Sequence, residues 1–93
     1  MILSIRQNIF CENSESIDHM VVIKKVYETQ FVPRIGEKIY NHMWKDDEGT
    51  SIADICYDID SKTCDIALEK LVVDNTKEEI VYLAKLHSWE ILL

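Results

Sequence analysis

Four carboxylates fall within one twelve-residue run, Asp58, Asp60, Asp65 and Glu69. Acidic side chains at the first, third and twelfth positions of such a run are what a calcium loop uses. The chemistry fails at two places. The fifth position is Lys62, whose ammonium repels a cation, and the sixth is Thr63, where that loop turns on a glycine. A solvated hairpin accounts for the run. Three histidines, His19, His42 and His87, and three cysteines, Cys11, Cys56 and Cys64, offer metal or thiolate–imidazole chemistry. No two of them stand at the short spacing of a metal site, so a cluster such as His42 with Cys56 or Cys64 would have to be assembled by folding. A Cys–His nucleophile also needs an oxyanion hole. The isolated Gly36 and Gly49 supply no Gly-rich loop to build one or to cradle a phosphate. The expectation is a non-enzymatic chain without metal or cofactor.

The charge balance narrows the partners. Seventeen acidic against ten basic residues give a net charge of −7. The basic residues are scattered, with Lys24-Lys25 the densest run, so a nucleic-acid partner is excluded. No apolar run approaches the roughly 20 residues of a membrane span. The first ten residues, MILSIRQNIF, lack a basic n-region and a cleavage site. An odd number of cysteines argues against a disulfide framework. These features predict a cytoplasmic chain with reduced thiols.

The elements that must position these groups are mostly strands. Residues 2–10 alternate, with Leu3, Ile5 and Ile9 on one face and Ser4, Arg6 and Asn8 on the other. Residues 11–18 are polar and read as a loop. Residues 19–32 are rich in β-branched and aromatic side chains, and the parity wavers at Lys24-Lys25, which predicts a long strand with a bulge there. Strands are expected again over 37–44, 50–59 and 63–69, the last two forming a hairpin about a turn at 60–62. On 50–59, Ala53, Ile55, Tyr57 and Ile59 share a parity. Thr76 followed by Glu79 fits a capping box, and Ile80, Leu83, Ala84 and His87 at helical spacing predict a helix over 77–88. The following WEILL either extends the helix or returns as a short edge strand. One domain over 1–93 follows, of α+β class: a small antiparallel β-meander or SH3/OB-like barrel of about five strands with one C-terminal helix.

The stretch FVPRIGEKIY, residues 31–40, carries the single Pro and one of the two Gly. Pro33 ends a central strand, and Gly36 can take positive φ, so a turn across Pro33-Arg34-Ile35-Gly36 is expected. The succession ETQFVPRIGEKIY, a charged turn, then IADICYDIDSKTCDIALE resembles small phage-type and mobile-element β-barrel proteins over roughly residues 27–69. The resemblance implies a small SH3-like or OB-like barrel and carries over no catalytic residues.

Tyr40, His42 and Trp44 share one parity, opposite Ile39 and Met43, and Trp89, Ile91, Leu92 and Leu93 add an apolar end. Two arrangements fit. The strand has a two-sided core, or its aromatic face is open to a partner or a second copy. A domain this small has little with which to cover such a face. The leading expectation is therefore a protein-interaction module that self-associates, with Tyr40, Trp44, Trp89 and Leu92 as anchors and Arg34 at the rim. The alternative is an acidic inhibitor that mimics nucleic acid toward a basic protein. It would use acidic residues at 46–48 with Asp54, Asp58, Asp60 and Asp65.

Overall fold

Strict alternation along the first strand places Leu3, Ile5, Gln7, Ile9 and Cys11 in the interior, while the residues between them face outward. The computed structural model describes residues 1–13, 19–41, 43 and 49–92. Their elements, in chain order, are β1 (Ile2–Cys11), β2 (Met20–Glu28), β3 (Lys38–Ile39), β4 (Thr50–Asp58), β5 (Thr63–Leu68), β6 (Leu71–Val73), α1 (Lys77–Leu86) and β7 (Glu90–Ile91). The sheet order is β3-β4-β5-β1-β2-β7, with β6 beside β1 beyond the end of β5. The fold is α+β: a curled, barrel-like sheet followed by one helix. It has more strands than the five expected, because short pairings at both edges and β6 add to the long ones.

The order is not that of a simple meander. β1 is central. It pairs antiparallel with β2 on one side, and in parallel with β5 and then β6 on the other. The expected hairpin of β4 and β5 is present, and its turn spans 59–62. The bulge expected at Lys24-Lys25 is absent, since β2 keeps continuous register with β1 from Met20 to Glu28. A bulge occurs instead in β4, between Ile52 and Asp54. It shifts the inward parity from Thr50 and Ile52 to Ile55 and Tyr57, and leaves Ala53 exposed. Where a strand over 37–44 was expected, the described residues hold only the two-residue β3, with His42 and Trp44 outside them.

One face of the sheet is the core. Ile9, Cys11, Val21, Ile23 and Cys64 are fully buried on it, each aliphatic contributing about 1.5–3 kcal/mol relative to exposure. Ile80 and Ala84 of α1, together with Trp89 and Met43, close over it. Its buried polar residues are Gln7 and Thr50, and Gln7 donates through Nε2 to Thr50 Oγ1 at 3.4 Å.

The corner at 31–40 forms one residue later than the sequence predicts. Glu37 N–H donates to Arg34 O at 3.1 Å, so the turn is Arg34 to Glu37, with Gly36 at its third position and φ of +88°. Pro33, just before it, is buried. Gly49 is required by a close approach, since a Cβ there would lie 2.9 Å from Lys38 Cβ.

The helix begins as its sequence dictates, with Glu79 N–H donating to Thr76 Oγ1 at 3.2 Å and Glu78 and Glu79 at the positive dipole end. It stops at Leu86, two residues short of the expected end. Trp89 N–H reaches back to Ala84 O at 2.8 Å and Ser88 N–H to Lys85 O at 3.2 Å, with Ser88 at φ of +65°. This is the paired closure of a Schellman motif. It turns the chain so that Glu90–Ile91 returns as an edge strand against β2, which settles the WEILL alternative.

Candidate functional site

The core side of β2 carries one charge. Lys25 alternates inward between Ile23 and Tyr27, which is why the parity of the sequence falters there. Its Nζ donates to His87 O at 2.7 Å and lies 6.0 Å from the Trp89 ring and 5.4 Å from the Tyr27 ring. A cation at the negative end of a helix is stabilising, and here it also sits over two aromatic faces. Lys25 is thus a structural cap.

The opposite face of the sheet is charged and hollowed. Cross-strand register sets Asp54, Ala67, Arg6, Lys24 and Glu90 in one row across β4, β5, β1, β2 and β7. The next row holds Cys56, Asp65, Ser4 and Val26. The curl of the sheet brings Asp54 and Cys56 at one edge and Leu92 at the other to a common groove of about 380 Å³. Small side chains, Ser4 and Ala67, leave its floor low. Arg6 and Lys24 stand directly opposite one another, a like-charge pairing that costs stability. Among the described residues neither makes an ion pair or a side-chain hydrogen bond. Asp54 Oδ1 accepts from Ile55 N–H at 3.0 Å.

A different surface lies at the end of the sheet where β1 starts and β4 finishes. There Tyr57, Cys64, Leu3 and Tyr27 form one row, with the inner two buried and both tyrosines exposed. Ile2 is exposed beside them. Thr29 N–H donates to Met1 O at 3.0 Å, which holds the chain leading to the exposed Phe31 at this end. Ile59, in the adjoining turn, is 86% exposed.

The residues singled out in the sequence are dispersed. Arg34 projects from the corner turn and lies 3.7 Å from Glu37. Tyr40 is exposed after β3. Trp89 is buried in the core, so it cannot be an anchor for a partner, and Leu92 lies on the opposite face, at the groove. Trp44 and the acidic residues 46–48 lie outside the described residues. The carboxylates Asp54 and Asp65 share their face with Arg6 and Lys24, so no continuous acidic array forms there. Asp58 is engaged locally: Asp60 N–H and Ser61 N–H donate to its Oδ1 at 3.1 and 3.2 Å. Hydrogen bonds from the Ser61 side chain and backbone hold its carboxyl below the ordinary range. Burial pushes the thiols of Cys11 and Cys64 up, leaving them protonated, and Cys56 is exposed.

The groove was missed in the sequence because Ser4 and Arg6 read as an ordinary solvent face. The signal present was a lone arginine mid-strand on the same parity as two small polar neighbours. No protein-family model, curated protein or solved structure matches the chain.

Proposed function

We propose that this chain is a non-enzymatic protein-interaction module that self-associates through the end of the sheet bearing Tyr27, Phe31, Tyr57 and Ile59. The observation that carries this reading is the concentration of exposed large apolar side chains at that end. Large apolar side chains exposed together at one end of a sheet favour an interaction site, and tyrosines are favoured anchors. The adjacent strand edges support it. β4 is covered by β3 only at Thr50 and Ser51, so the stretch from Ala53 to Asp58 presents backbone groups that a second chain can meet. A second copy is the occupant, because the apolar end is self-complementary in chemistry and a two-fold interface uses one patch twice. Each copy carries −7, so screening by salt should strengthen the pairing.

The test is light scattering coupled to size exclusion across a wide concentration range, at low and high salt, for the parent and for a Tyr57→Ser, Ile59→Ser double variant. The parent should move from monomer to dimer with concentration. The double variant should weaken that step at least about 30-fold, since two lost anchors cost about 2 kcal/mol or more together. A parent that stays monomeric throughout would remove the proposal.

A further inference from the structure

We infer that the groove opposite the core face is a binding site for a small zwitterion of dipeptide size. Its carboxylate would lie between Arg6 and Lys24, and its ammonium against Asp54 and Asp65. The inference does not depend on self-association.

Three observations carry it. The first is charge without satisfaction. Arg6 and Lys24 face each other across β1 and β2, in a repulsive register, and among the described residues neither makes an ion pair, although Glu90 stands opposite Lys24 on β7. A chain with surplus carboxylates has ample means to quench two cations, yet these remain unpaired in a concave site. A guanidinium presents a planar fork that takes a carboxylate in two hydrogen bonds, and the ammonium beside it adds a point charge.

The second is separation of sign. Asp54 and Arg6 share a row with Ala67 between them, so their backbones are two strand spacings apart, about 10 Å. Asp65 lies in the neighbouring row, between Cys56 and Ser4. The bulge at Ala53 sets Asp54 on this face, whereas unbroken alternation from Ile52 would turn residue 54 inward. Asp54 therefore stands apart from Arg6 with the small Ala67 between them, while Asp65 lies diagonal to Arg6 on the adjacent strand, and a ligand with charges at both ends fits that order. A simple anion would leave the acidic wall facing it unpaired, and a simple cation the basic wall.

The third is size. A groove of about 380 Å³ falls in the small-ligand range, at its lower end. Leu92 supplies apolar surface at the margin for a ligand side chain.

The probe is the dipeptide Ala-Ala, followed by backbone amide shifts in nuclear magnetic resonance on the full chain. N-acetyl-Ala-Ala and Ala-Ala amide each lack one charge. Ala-Ala should shift the amides of Ser4, Arg6, Lys24, Asp54 and Asp65 saturably, and each blocked form should bind at least about 10-fold more weakly, the loss expected for one charge-assisted contact. Arg6→Gln should abolish the preference for a free carboxylate and Asp65→Asn that for a free ammonium. Both residues are exposed, so both variants keep the dispersed spectrum of the fold. Equal binding of the blocked forms, shifts confined to the apolar end, or no saturable shift in the millimolar range would each overturn the assignment.

Discussion

Replacing Lys25 by Met should destabilise the fold by about 2 kcal/mol. The methionine keeps an unbranched stem of similar length between Tyr27 and Trp89 and deletes the ammonium. The deleted group donates a 2.7 Å hydrogen bond to His87 O at the end of α1. A hydrogen bond to a charged group is worth about 1.5–3 kcal/mol net, and a cation at a partly buried helix terminus up to about 2 kcal/mol. These describe the same ammonium and do not add. The ring contacts at 5.4 and 6.0 Å are near the outer limit of cation–π attraction and bring the total only toward the middle of the range. Unfolding entropy near the midpoint is about 2.1 cal/mol/K per residue, so for 93 residues a loss of 2 kcal/mol lowers Tm by about 10 °C. The assay is thermal and urea unfolding by circular dichroism at one fixed protein concentration, because association would itself shift Tm. Lys25→Arg should retain more than half of the lost stability. A Lys25→Met variant within about 0.5 kcal/mol of the parent would refute the capping argument.

Three shorter expectations follow from local geometry. Ser88→Gly should raise stability by about 1 kcal/mol in the same unfolding assay, because Ser88 holds φ of +65° where glycine has no Cβ penalty. Iodoacetamide on the native protein should modify Cys56 and spare Cys11 and Cys64, with all three reacting in urea; mass spectrometry of the native digest reads the site. Asp58 should titrate below an ordinary aspartate, and Ser61→Ala should move it back up, as followed by carboxyl carbon shifts. Its folded pKa is the depressed one. Its stabilising contribution is therefore present above the unfolded aspartate value and is lost as pH falls through the folded value.

What was legible in the sequence was local. The alternation of residues 2–10, the hairpin over 50–69 and the helix start at Thr76 each rest on contacts within a few residues or across one turn, and each is present. The wavering at Lys24-Lys25 was visible too, but the sequence offered a bulge where the cause is an inward lysine reaching a helix end 62 residues away. For Trp89 the sequence left two arrangements open, a two-sided core or an anchor open to a partner. It is buried because the Schellman closure returns the chain to β2. The groove depends on the parallel pairing of β1 with β5, and pairing between distant strands leaves no periodicity in either of them.

The central position of β1 also sets an order of events on the ribosome. Its antiparallel partner β2 follows almost at once, but β5 and β6 arrive only after the roughly 50 residues between Cys11 and Thr63. At about 5–20 residues per second that is a wait of about 3–10 s. Throughout it, the first hairpin has an unfilled edge along Ile2 to Cys11 and no helix over its apolar face. Long-range parallel pairing is slow even when the whole chain is available. A nascent chain of this protein is therefore most exposed to aggregation in its first half, and residues 63–73, by occupying that edge, end the vulnerable interval.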